Sequence, residues 1–354
     1  DIAHPKIEAL FTIDEETGMT GALKLDKNIL KGDILLNLDT EEDDEIGIGC
    51  AGGVDITISK SFNMTINPNL LFIKITLNGL SGGHSGMEIH KNLGNSNKLL
   101  NKIISDLNEN FLIHISEING GGLRNAIPRE SSIILGVTDA DFKSIKNQSF
   151  KTFDNLKDQF LNTDPLIKLD IIKLDEDFKI IDIDNQTELI KLIRNCPNGV
   201  YKMSDNIPGL VETSNNLANI SLNDGNLNIN CLTRSSDESS KEELKNIIKS
   251  LFINKGYTVD FSGDYPGWQP NMSSEILAKL VKVYKDLNST EPNVAACHAG
   301  LECGIIGSHY PKLDMISFGP TIRGAHSPDE RASIKSTIKF WRFLKEVLLN
   351  IPLK

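Results

Sequence analysis

Positive charge, cysteine pairs and long apolar runs are all scarce in this 354-residue chain. Lys and Arg total 37 against 48 Asp and Glu, a formal net charge of −11. That balance disfavours non-specific nucleic-acid binding, because phosphate attracts cationic side chains. The five cysteines, Cys50, Cys196, Cys231, Cys297 and Cys303, form no CxxC pair. An odd, scattered set makes a poor disulfide framework and suits a reducing, cytoplasmic compartment. No apolar run reaches the roughly 18 residues that a membrane span needs, and no signal peptide is visible. What remains is an ordinary soluble balance, 39% hydrophobic and 24% charged, long enough for about two domains.

Residues 7–13 form a short apolar run that predicts a strand. A glycine-punctuated helical segment follows through Gly18, Met19, Gly21, Ala22 and Leu23, and residues 33–39 predict a second apolar strand. Strand, helix and strand at this spacing predict a βαβ unit with parallel strands buried on both faces. Further on, Ile73, Ile75 and Leu77 alternate with polar residues, as in a half-buried strand. Leu99, Leu100, Ile103, Ile104 and Leu107 repeat at helical spacing. Strands are expected at 111–118, 130–137 and 166–174, and helices at 141–161 and 240–255. Asn223-Asp224-Gly225 is a hairpin signal. Interleaved strands and helices with a hairpin suggest an α+β domain on an antiparallel sheet, its halves a loose repeat of one βαββαβ pattern. After the turn-rich segment from Tyr265 to Pro270, a helix is expected with Ile276, Leu280 and Tyr284 on one face. Another is expected with Ile338, Trp341, Leu344 and Leu348, and between them a strand at Met315–Phe318. The fold class is therefore α/β: a discontinuous domain with a mixed, mostly parallel sheet, residues 1–68 and 263–354, and an inserted α+β domain, residues 69–262.

Glu15 and Glu16 sit just past the C-terminal end of the first expected strand, and Asp39 ends the next. Open α/β sheets place their sites at that edge. Two carboxylates from neighbouring strand ends can converge on one cation, while the other Glu of the adjacent pair faces elsewhere. A solvated acidic turn is the plain alternative, and the run from Glu41 to Glu45 reads as just such a loop. His326 stands in a Gly- and Pro-bounded loop after a buried strand, well placed either to ligate a metal or to be a surface histidine. His84 lies in a glycine-rich loop at residues 79–86, and a second such loop spans 120–128. Neither is a phosphate loop, because the GxxxxGK[ST] spacing and its Lys are absent.

These pieces occur in seven signatures: Asp14-Glu15-Glu16-Thr17-Gly18-Met19, Asn37-Leu38-Asp39, Gly49-Cys50-Ala51-Gly52-Gly53, Gly82-Gly83-His84-Ser85-Gly86, Arg124-Asn125-Ala126-Ile127-Pro128, His298-Ala299-Gly300-Leu301-Glu302-Cys303-Gly304 and Gly324-Ala325-His326-Ser327-Pro328-Asp329-Glu330. In this order they resemble the M20 metallopeptidases, and within them the bacterial cytosolic aminoacyl-histidine dipeptidases (peptidase D). The resemblance runs from about residue 4 to the C-terminus.

The resemblance implies a zinc-peptidase-like catalytic domain with an inserted lid domain. It implies metal-dependent hydrolysis of dipeptides with a free N-terminus, Xaa-His dipeptides included. Glu15 would be the general base, and Glu16, Asp39 and His326 metal ligands. His84, Asn125 and Arg234 match lid positions that handle the substrate, Arg234 by clamping its C-terminal carboxylate. Gly300 matches a substrate-binding loop. The cofactor implied is zinc, two ions per complete site, with cobalt or manganese as alternatives. His4 and His90 are expected to be structural, and Cys50 a packed strand-end thiol. The family's remaining ligands, a His-x-Asp motif and a bridging Asp, find no counterpart here, so this chain alone is expected to be incomplete: a fragment, one of two polypeptides, or an inactive product. The expected partner is a dipeptide, with no nucleic acid and no membrane; a homodimer is left open. Other readings are a tripeptidase, an N-acyl amino acid deacylase, or an inactive fragment acting as a binding module.

Overall fold

The structure, a computed structural model, describes residues 3–325 and 327–351, without the side chains of Glu16 and Thr17. The chain opens with α1 (Glu15–Gly18), α2 (Thr20–Leu23), β1 (Ile34–Asn37) and β2 (Glu45–Cys50). Next come β3 (Gly52–Ser61), β4 (Met64–Ile66), β5 (Leu71–Asn78), β6 (Gly83–His84) and α3 (Ser96–Asn110). They are followed by β7 (His114–Gly121), β8 (Ala126–Ile127), β9 (Ser131–Val137), α4 (Phe142–Gln159), β10 (Lys168–Leu174) and β11 (Lys179–Ile181). Then come α5 (Ile183–Asn195), β12 (Gly199–Met203), β13 (Val211–Asn223), β14 (Asn226–Ser235), α6 (Glu238–Ile253) and β15 (Thr258–Tyr265). The last are α7 (Glu275–Asn288), β16 (Asn293–Cys297), α8 (Glu302–His309), β17 (Asp314–Ser317), β18 (Ile322–Arg323), β19 (Arg331–Ala332) and α9 (Ile334–Asn350).

These elements fall into two units. The first comprises residues 1–52, 235–238 and 265–354, and the second residues 53–234 and 239–264. The expected boundaries at 68/69 and 262/263 therefore move. The larger shift comes from β3, which is a strand of the second unit's sheet rather than of the first domain.

The first unit holds a four-stranded mixed sheet in the order β1-β17-β2-β16. The outer pairs β1–β17 and β16–β2 are parallel, and the central β17–β2 contact is antiparallel. Helix α9 buries Phe343 and Val347, and the Phe343 ring meets Tyr284 of α7 and Phe318 edge-on at 5.5 and 5.2 Å. The expected α9 face was different: Ile338 and Trp341 are 68% and 58% exposed. Residues 7–13 also depart from expectation. They carry no strand, and Phe11 and Ile13 are 91% and 74% exposed. A run of apolar residues marks a segment fit for a buried strand, yet β1 takes β17 as its parallel partner instead.

The second unit is built on a nine-stranded sheet, ordered β10-β5-β9-β7-β13-β14-β3-β15 with β12 added on β13. That order contains the expected repeat. One module runs β5-α3-β7-β9-α4-β10 along the chain and β10-β5-β9-β7 across the sheet. The other uses β3, α5, β13, β14, α6 and β15, and lies across the sheet as β13-β14-β3-β15. The two are arranged head to head, joined where β7 and β13 pair antiparallel through Gly121↔Asn219 and Ile118↔Leu222. The first module is inserted between the opening strand and first helix of the second.

Helix α3 starts where Asn95 caps it, its side chain accepting from the Lys98 N–H at 3.2 Å. Its Leu100, Ile103, Ile104 and Leu107 enter the main core with Ile73, Ile75 and Leu77 of β5. The same core holds Phe252 of α6, fully buried and edge-on to Tyr257 at 5.6 Å. Phe252→Ala should therefore lower unfolding free energy by about 3–5 kcal/mol, through lost transfer energy and the cavity left behind. Urea unfolding followed by circular dichroism measures it. A change below about 1 kcal/mol, the range of surface substitutions, would mean that Phe252 does not sit in this core.

Candidate active site

Glu15 opens the short helix α1, in a segment wound tightly on itself. Asp14, just before it, adopts a left-handed conformation with φ 62°, and Met19, just after α1, has φ 50°. Such backbone costs on the order of 1–3 kcal/mol per residue and persists only where its surroundings impose it. Here the Asp14 carbonyl accepts from the N–H groups of Gly18 and Met19 at 3.1 and 2.7 Å, and its carboxylate from the Thr20 hydroxyl at 2.8 Å. A Cβ on Gly21 would lie 2.6 Å from the Ile13 nitrogen, so the turn closes only with glycine there. Strain held this way fixes the half-buried Glu15 in place. Glu16 is in the same helix, and its side chain lies outside the described set, as does the whole of His326.

Two further parts of the first unit lie against this segment. A Cβ on Gly300 would come within 3.1 Å of Met19 Cε and 3.0 Å of the Tyr265 ring, so the Gly300 loop is packed on the turn carrying Glu15. Two residues on, Glu302 accepts from the Thr12 hydroxyl at 2.7 Å. Its other oxygen, Oε1, is buried without a hydrogen-bond partner among the described residues. Sequence reasoning assigned Glu302 no role, although it stands in the same signature as Gly300.

Asp39 is exposed two residues past β1, its N–H donating to Asn37 Oδ1 at 3.2 Å. Burial first, then surrounding negative charge that includes Asp39 and Glu302, pushes the Cys303 thiol well above its ordinary value. Both carboxylates thus lie in the electrostatic neighbourhood of that thiol. Cys50 ends β2 fully buried, its thiol pushed up to about 12, chiefly by burial, and it is the packed strand-end thiol expected. Among the described residues, no group of three or more His, Cys, Asp or Glu side chains is gathered to hold a metal. By chemistry, carboxylates with one imidazole suit a borderline divalent ion such as zinc. An uncompensated carboxylate oxygen beside the Glu15 segment is consistent with a cation there.

His84, Asn125 and Arg234 belong to the second unit. His84 lies in the two-residue strand β6, paired with Ala126 of β8. Its Nδ1 accepts from the N–H groups of Gly86 and Met87 at 3.1 and 3.0 Å. A neutral ring whose Nδ1 accepts in this way carries its proton on Nε2. The neighbouring Asn125 is exposed, and its carbonyl accepts from the Ser85 N–H at 2.7 Å, so the two glycine-rich loops are joined. Arg234 is buried near the end of β14, only 6% exposed. Burial raises the Asp55 carboxyl above its ordinary value, and the charges of Arg124 and Arg234 pull it back. Asp55 of β3 therefore pairs with Arg124 at 3.5 Å and feels the charge of Arg234, and it went unnoticed in the sequence because nothing local distinguishes it from a solvated strand residue.

Residues 2–350 match the peptidase family M20/M25/M40. The chain belongs to this family. It is 39% identical over 356 residues to the cytosol non-specific dipeptidase of Escherichia coli (strain K12), covering 100% of this chain and 73% of that protein. The crystal structure of an aminoacylhistidine dipeptidase from Vibrio alginolyticus matches with a TM-score of 0.96 at 38% identity, covering 100% of this chain and 72% of that one. The α/β fold expected from the sequence is thus that of M20 peptidases, and the chain is a hydrolase of the M20 class. No helix among its described residues is long and apolar enough to cross a membrane.

Proposed function

We propose that this M20 peptidase hydrolyses dipeptides with a free N-terminus, Xaa-His dipeptides among them, in the cytoplasm. The observation that carries the reading is the 39% identity, across the whole chain, to a protein named a dipeptidase. Glu16, Asp39 and His326 would hold divalent metal, zinc first and cobalt or manganese as alternatives. A bound divalent ion lowers the pKa of water and polarises a carbonyl oxygen.

The remaining work falls to the chain's own groups. Glu15 takes a proton from the attacking water and passes it to the leaving amine. Its fixed position in the strained 14–19 turn supports this role, since a base must be within hydrogen-bond reach of the proton it moves. His84 donates its Nε2 hydrogen to the oxyanion, and Arg234 takes the C-terminal carboxylate through a charge-assisted, two-pronged bond. Asn125 and Gly300 contact the substrate main chain.

A panel containing a simple dipeptide, an Xaa-His dipeptide, a tripeptide and an N-acyl amino acid tests the reading. With metal supplied, the dipeptides should exceed the other classes in kcat/KM by about 100-fold, because a site that pairs both charged termini leaves its own polar groups unpaired with anything longer or acylated. A preference for the tripeptide or the N-acyl compound would replace the dipeptide assignment. Metal binding with no turnover of any of them would leave a binding module.

A further inference from the structure

Arg124 lies in the loop between β7 and β8, next to Asn125, and its guanidinium is held by the chain's own groups. Nη1 donates to the carbonyls of Ile56 and Cys231 at 3.0 and 3.2 Å. Nη2 donates to Thr57 Oγ1 and Asn230 Oδ1, both at 2.7 Å. Nε stands 3.5 Å from Asp55 Oδ2. The two terminal nitrogens thus make four hydrogen bonds, and Nε adds an ion-pair contact. All the partners lie on β3 and β14, which are neighbours in the sheet.

The backbone of the same loop is tied just as closely. The carbonyls of Arg124 and Ala126 both accept from Asn216 Nδ2, at 3.0 and 2.8 Å, and the carbonyl between them, that of Asn125, accepts from Ser85. Apolar anchoring is slight at this point, because Leu123 is 74% exposed and nothing lies within 4 Å of a Cβ on Gly122. Polar ties therefore decide where residues 122–126 sit.

We propose that Arg124 is a positioning residue for the hydrolytic reaction: it clamps the Asn125 loop to β3 and β14 and, through the Ser85–Asn125 bond, sets the orientation of His84. The inference rests on the reading of His84 and Asn125 as substrate-handling groups. Arg124 touches no substrate, so its removal should slow the chemical step without weakening carboxylate recognition. Lysine has three donors on one nitrogen and cannot reach four acceptors and a carboxylate spread over two strands.

The test compares wild type, Arg124→Lys and Arg124→Ala as metal-loaded protein. kcat and KM are measured for one dipeptide and for its C-terminal amide. The imidazole ¹⁵N resonances are recorded on histidine-labelled protein, with His84→Gln to assign its signal. For Arg124→Ala, kcat should fall about 10- to 100-fold by the same proportion on both substrates, since misplacement of about 1 Å can cost that much. KM should change little, the Lys variant should lie between, and the His84 Nδ1 resonance should shift. An unchanged kcat in Arg124→Ala, or a loss confined to the free dipeptide, would overturn the proposal. So would an unmoved His84 resonance. If wild type itself cleaves no dipeptide, the functional reading falls, and the His84 spectrum alone still decides whether Arg124 orders that ring. Should the Ala variant fail to fold, the Lys variant carries both readouts.

Discussion

Glu15→Gln is expected to keep the bound metal and to lose turnover by about 10²–10⁴-fold, the usual contribution of a positioned general base. Glutamine preserves the shape of the side chain and cannot accept the proton of the attacking water. The strained turn should survive the change, because the bonds to the Asp14 carbonyl and carboxylate are left in place. Glu16→Gln is expected to do the opposite and lose metal, as a ligand position should. Metal content by mass spectrometry, together with kcat on one dipeptide, separates the two. Equal metal binding by both variants would show that the neighbouring glutamates are not divided between base and ligand.

Arg234 is expected to read the C-terminal carboxylate of the substrate. Removing one partner of a buried, hydrogen-bonded charge pair costs about 2–5 kcal/mol, mostly from the charge left unpaired. Arg234→Ala should therefore lose that much in kcat/KM on a free dipeptide and far less on its C-terminal amide, which lacks the charge. Arg234→Lys should also be impaired, because an ammonium keeps the charge and loses the planar fork. Asp55 provides an internal contrast. It feels the charge of Arg234 whatever the substrate, and a purely architectural role for the arginine would depress both substrates by the same factor. That equal loss is the result that would assign Arg234 to holding its own domain together.

Much of the second unit was legible from periodicity. Helices α3 and α4 and strands β9 and β10 lie where their apolar spacing places them. The β13–β14 hairpin follows from Asp224-Gly225, whose φ angles of 48° and 77° suit a tight turn. Strand β3, and the extent of β2 ahead of Cys50, were not legible, and glycine is the reason. Gly47, Gly49, Gly52 and Gly53 interrupt the apolar pattern and read as loop punctuation. In the fold Gly47, Gly49 and Gly52 mark places where other backbone and side chains come close. A Cβ on Gly49 would lie 2.6 Å from Pro270 Cγ, and one on Gly52 would lie 2.4 Å from the Gly267 nitrogen. The acidic run at 41–45 is likewise more than a solvated loop, since Asp43 pairs with Lys339 at 2.7 Å and Glu45 begins β2.

Of the candidate site, the signatures pointed to individual residues but not to what holds them. Arg124 stands inside one of those signatures, yet its five partners come from residues 55–57 and 230–231, far away in the chain. The pairing of the His84 and Asn125 loops depends on a strand of two residues, too short for any periodic signal. The apolar run at residues 7–13 shows the converse: a strand-like pattern records what a segment could pair with, and pairing needs a partner strand as well.

Removal and return of metal is the most direct test of a metal-dependent dipeptidase. The protein is dialysed against a chelator, metal per chain is counted, and hydrolysis of one Xaa-His dipeptide is followed before and after zinc is restored. Loss of turnover with the metal, and its recovery when zinc is bound again, is the expected result. Undiminished turnover by the metal-free protein, or zinc-loaded protein that leaves the dipeptide intact, would contradict it.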